Sequence, residues 1–74
     1  MKFLINKPKL IYYCSINHKS LKDLANELGI NQVTLYRKLR GDSDFYRYEI
    51  IKIKKILRLS TEEINEIFFS SKLA

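Results

Sequence analysis

The sequence predicts an all-α fold of five short helices, and three observations lead there. Apolar residues recur at helical spacing along most of the chain, and no stretch alternates with period two for long enough to form a sheet. The breakers are few and well placed: the only proline is Pro8, and the only glycines are Gly29 and Gly41. Two serine-led sequences, Ser20-Leu21-Lys22-Asp23 and Ser60-Thr61-Glu62-Glu63, have the form of capping boxes that open helices.

Pro8 suits the first turn of a helix, where its missing N–H costs nothing. Beyond it Leu10, Tyr13, Cys14 and Asn17 share one face. The Ser20 box carries Asp rather than Glu at its third position, a weaker form, and opens a helix with Leu21, Leu24, Ala25 and Leu28 inward. Gly29 ends that helix as a left-handed residue past the last turn. Asn31 caps the third helix, in which Leu35 and Leu39 lie on one side, and Gly41 closes it ahead of the loop Asp42-Ser43-Asp44. A fourth helix, about 46–57, buries Tyr46, Ile50, Ile53 and Leu57. The Ser60 box then opens the fifth, about 61–69, burying Ile64, Ile67 and Phe68.

At 74 residues the chain is half the ~150 of a typical domain, so 1–74 reads as one domain with no linker or repeat. It has room for one small core and none for an enclosed substrate cavity of the usual ~300 Å³ or more. An apolar share of 46% with 30% charged residues belongs to a globular chain. One cysteine, Cys14, and one histidine, His18, exclude an internal disulfide and argue against a metal site or any cofactor. Cys14 reads as a reduced, buried thiol, and His18 as a residue that packs or caps in the turn after the first helix. The start Met1-Lys2-Phe3-Leu4-Ile5-Asn6 is too short for a signal-peptide core, and no apolar run approaches the ~20 residues of a membrane span. A cytoplasmic protein is expected.

Charge narrows the partner. Lys and Arg number 14 against 8 Asp and Glu, a net charge of +6, which on so small a body suggests a polyanion. All of the excess precedes residue 62; the last helix is acidic, with Glu62, Glu63 and Glu66, and is expected to sit away from DNA. No carboxylate pair or nucleophile–base set stands out, so catalysis is not expected.

Residues 20–40 carry the sharper signal. Two helices joined by a short turn containing glycine are expected to form a DNA-type helix-turn-helix, with an ordinary αα-hairpin as the alternative. Small Ala25 allows a close crossing, Gly29 supplies the positive φ, Ile30 plugs the corner, and Leu35 anchors the third helix with its opposite face outward. The run from Ser20 to Gly41 resembles the Cro/CI-type (XRE-like) helix-turn-helix family of phage and bacterial regulators. With the two further helices and the Ile67-Phe68-Phe69 ending, the chain is similar over about residues 8–69 to small Cro-like regulators of Gram-positive phages. It departs at Leu21, where a phosphate-contacting Gln is common, and at Lys38, where many members carry an apolar residue; Leu39 is expected to take over that packing.

The resemblance implies a lambda repressor-like DNA-binding domain acting as a transcription regulator, with the third helix in the major groove. Gln32, Val33, Tyr36 and Arg37 are then the base-reading candidates. Gln32 suits adenine, Arg37 suits guanine, and Val33 can touch a thymine methyl. Ser20, Lys22, Asn31, Lys38 and Arg40 are the phosphate candidates, Arg40 the strongest, with Lys19 and Arg47 flanking. A solvated polar helix is the bland alternative, against which an exposed Tyr36 and Val33 weigh. The partners expected are an operator in double-stranded DNA, a homodimer on two half-sites and, as the alternative function, a partner phage repressor complexed in the manner of an antirepressor. A helical wheel places Ile51 and Phe69 outward, and with Ile56 they form the candidate protein interface.

Overall fold

The first helix starts where Asn6 accepts the Lys9 N–H on its side-chain oxygen at 3.2 Å, with Pro8 in the first turn, and it runs as α1 over Lys7–Ile16. The structure, a computed structural model, describes residues 5–69. The start Met1–Leu4 and the end Ser70–Ala74, including Lys72, lie outside the described residues. α2 (Leu21–Leu28), α3 (Gln32–Arg40), α4 (Arg47–Ile56) and α5 (Thr61–Phe68) complete the chain, and no strand occurs among the described residues.

Several of the starts and stops are ones the sequence advertises. Ser20 and Asp23 satisfy each other's backbone N–H groups at 3.1 and 2.9 Å, and Ser60 and Glu63 do so at 3.1 and 2.8 Å. Asn31 accepts the Thr34 N–H at 2.8 Å. Gly29 (φ 79°) and Gly41 (φ 88°) are left-handed and close α2 and α3. Two further helix ends use the same conformation without glycine: His18 at φ 58° after α1, and Arg58 at φ 56° after α4. Of the two roles expected for His18, packing or capping, the structure shows the second: the side chain is exposed, and the left-handed backbone closes the helix, its N–H donating to the Ser15 carbonyl at 2.9 Å.

α2 lies at the centre, packed on α1, α3 and α4, while α5 packs on α1 and α4. Leu10, Leu24, Ala25, Leu35, Ile53 and Ile67 are completely buried where these faces meet. Side chains seal the seams. Asn17 donates to the carbonyls of Tyr13 and Leu57, and the Tyr13 hydroxyl donates to Glu63 at 3.3 Å. The radius of gyration, 11.4 Å, is close to the ~11 Å of a compact chain this long. No helix among the described residues is long and apolar enough to cross a membrane.

Three sequence readings are corrected. Tyr46 does not lie in the core: α4 begins one residue later, and Tyr46 is its N-cap, 58% exposed. The buried position goes instead to Glu49, 1% exposed, whose carboxylate accepts the Tyr46 N–H at 2.8 Å. Lys38, read as a phosphate contact, is 4% exposed. Its ammonium lies 3.0 Å from Glu49, donates to the Asp44 carbonyl at 2.8 Å and sits 4.2 Å from the Tyr46 ring centroid. Leu39 is buried beside it, so the two share the packing role that the sequence assigns to Leu39 alone. Ile56, read as interface, is half-buried and packs against the core, because it falls on the flank of α4 that faces inward.

Candidate nucleic-acid interface

α3 positions the site. Leu35, Lys38 and Leu39 are buried on one side of it, which turns Gln32, Val33, Tyr36, Arg37 and Arg40 together to the other. All five are exposed. The structure thus gathers the four base-reading candidates on one outward face. The Tyr36 hydroxyl donates to the Gln32 side-chain oxygen at 3.3 Å, so the ring and the amide brace each other one turn apart. Exposed Val33 and Tyr36 add apolar surface to an otherwise polar face.

The phosphate candidates part ways. Lys22 is exposed beside the start of α2, and no ion pair among the described residues holds it. Arg40 is exposed, but its guanidinium forks onto Asp42 at 3.1 and 2.7 Å. An exposed pair of this kind contributes ~0–1 kcal/mol, so a phosphate can displace the carboxylate. The Asn31 side-chain oxygen serves the α3 cap, leaving its amide NH2. At Ser20 the backbone N–H already belongs to Asp23, and that bond holds the Asp23 carboxyl below the usual carboxylate range. The start of α2 therefore carries its own anion, and Ser20 keeps only its hydroxyl for a phosphate. Lys38 leaves the set. Of the flanking pair, Lys19 is engaged by Glu27 at 2.7 Å, whereas Arg47 is exposed.

Of the interface candidates, Ile51 and Phe69 are exposed at 49% and 48%. The structure adds apolar surface that periodicity missed: Ile11, Tyr12 and Ile16 are exposed on α1. That helix is apolar on more than its inward side, and a count of inward positions says nothing about the residues left over. It adds Tyr48 as well, beside Tyr46, at the start of α4.

Elsewhere the chemistry is quiet. An open groove of about 440 Å³ between α1 and α2 is lined by Ile11, Cys14, His18, Leu21 and Asp23, among others. Burial pushes the Cys14 thiol above its ordinary value, which keeps it protonated and unreactive near neutrality. Among the described residues no group of three His, Cys, Asp or Glu stands ready to hold a metal ion. No protein-family model, curated protein or solved structure matches this chain.

Proposed function

We propose that this protein binds double-stranded DNA sequence-specifically, as a small cytoplasmic transcription regulator of the Cro type found in phages and prophages. In this reading α2, the Gly29 turn and α3 act as a lambda repressor-like helix-turn-helix, with α3 in the major groove. One observation carries it: the outward face of α3, where Gln32, Val33, Tyr36 and Arg37 stand exposed on a helix pinned by Leu35, Leu39 and the buried Lys38. That face offers an amide, a guanidinium and a methyl-bearing side chain, the groups that match adenine, guanine and thymine edges. The net charge of +6 supplies the nonspecific attraction. One small module reads few base pairs, so the working form is a homodimer on half-sites about one helical turn apart.

Selection of binding sites from random duplexes, followed by footprinting, tests this. Arg37→Ala and Gln32→Ala should each cost ~1–3 kcal/mol and relax the preference at one base pair. Arg40→Ala should weaken all sequences alike and make the salt dependence shallower by about one unit. Unchanged footprints in both groove-face variants would remove the reading. The exposed Ile51 and Phe69 favour a second one, a modulator that complexes a partner repressor. It requires that the partner complex survive Arg37→Ala and fail with Ile51→Asp.

A further inference from the structure

A cationic surface also lies away from α3. It is the outer face of α4, where Arg47, Tyr48, Ile51, Lys52 and Lys55 are all exposed within an arc of roughly 140°. The one acid of that helix, Glu49, is buried on the opposite side and spent on Lys38. Among the described residues no carboxylate pairs with Arg47, Lys52 or Lys55. An aromatic stack stands at the same end: Tyr46 and Tyr48 lie 5.7 Å apart at an interplanar angle of 26°, and the Lys38 ammonium sits over Tyr46. The stack is therefore anchored to the core, while Tyr48 remains 63% exposed.

We infer that the outer face of α4 is a second nucleic-acid surface, one that holds a single strand without reading its sequence. Arg47, Lys52 and Lys55 follow the phosphates, and the Tyr48 ring receives a base. Cations along a groove with aromatic platforms among them are the usual means of holding single strands. The reach fits. From Arg47 to Lys55 is ~12 Å along the helix, room for a short run of phosphates. A lipid surface fits less well, because Ile50, Ile53 and Ile56 are already committed to the core and leave only Ile51 and Tyr48 to insert. An acidic protein fits less well too, since its carboxylates pair with the cations but give the exposed Tyr48 ring no base to stack on.

The experiment is fluorescence anisotropy with a labelled thymidine homopolymer at several salt concentrations, on variants whose helicity matches the wild type. The wild type should bind, with affinity falling as salt rises. Lys52→Ala with Lys55→Ala should make the slope of log K against log salt shallower by about 1.4, at ~0.7 per contact on a single strand. Tyr48→Ala should weaken binding roughly five- to a hundredfold, and Tyr48→Phe should restore it, since stacking needs the ring alone. Gln32→Ala with Arg37→Ala should leave the homopolymer affinity unchanged, which separates this face from the α3 reading. The inference is overturned if the wild type does not bind, if the lysine variant is unaltered, or if Tyr48→Ala has no effect. It is equally overturned if vesicles rich in phosphatidylserine, or polyglutamate, bind in the homopolymer's place and depend on the same lysines.

Discussion

Taking the Lys38 ammonium and the Glu49 carboxylate out of water costs several kcal/mol per ion. The surroundings offset it closely: the two meet at 3.0 Å, a carbonyl and a backbone N–H take further bonds, and the Tyr46 ring covers the ammonium. Removing one partner strands the other. Lys38→Ala or Glu49→Ala should each cost about 3–5 kcal/mol, against a total of order 4–11 kcal/mol for a chain of this length. Urea denaturation should show either variant close to unfolded, and Lys38→Met with Glu49→Leu recovering most of the loss. If both single variants melt with the wild type, the pair contributes nothing to the fold. The exposed Arg40–Asp42 pair is the contrast, and Asp42→Ala should move stability by under ~1 kcal/mol. The resemblance flags Lys38 as standing at a position that is often apolar, but nothing in the sequence pointed to Glu49 as its partner. Periodicity counts Lys38 and Glu49 as polar on both helices, and only the tertiary fold, with α3 and α4 both packed on α2, brings them within 3.0 Å.

The elements were more legible, because local bonds set their ends. Gly29, Gly41 and the two serine caps mark four boundaries that the structure keeps. His18 and Arg58 mark two others less plainly: histidine is only modestly favoured in a left-handed backbone, and arginine is not a residue that signals one. The difference is measurable. Gly29→Ala meets no neighbour within 4 Å, so its cost is the backbone alone, ~1–2 kcal/mol. Arg58→Gly should shift stability the other way, by up to about 1 kcal/mol, visible as a higher melting temperature. The α2 cap has a pH signature. The folded Asp23 carboxyl titrates below its unfolded value, with the Ser20 backbone bond the first cause and its side-chain bond the second. Its contribution is thus present above the ordinary carboxylate range and lost as pH falls through the lowered folded value. Asp23→Asn should be less stable than the wild type at neutral pH, and the gap should close in acid. A gap independent of pH would mean that the carboxylate's charge does not matter to the cap.

Over the whole molecule, charge and exposed apolar groups divide along the chain. The outer face of α4 sets Ile51 among Arg47, Lys52 and Lys55, while α5 turns Glu62 and Glu66 to its surface, Glu66 paired with Lys9 at 2.9 Å, and is capped by Phe69. Two copies that bury Ile51 and Phe69 against each other can set the basic helix of one beside the acidic helix of the other, which favours a closed two-fold pair. Such a dimer would supply the two half-site readers that the proposed DNA binding calls for. Ile51→Asp with Phe69→Ser should then sediment as a folded monomer that has lost cooperative operator binding. Wild-type size and wild-type cooperativity in that variant would make both residues ordinary surface. A dimer built this way would also cover Lys52 and Lys55, and so would compete with a single strand for the same face. By linkage, whatever the strand subtracts from dimer affinity the dimer subtracts from strand affinity. Adding the thymidine homopolymer to a dimeric sample should therefore shift it toward monomer in sedimentation equilibrium, and Tyr48→Ala should blunt that shift. A dimer indifferent to saturating homopolymer would place self-association away from α4, and the exposed Ile11, Tyr12 and Ile16 of α1 would be the next residues to substitute.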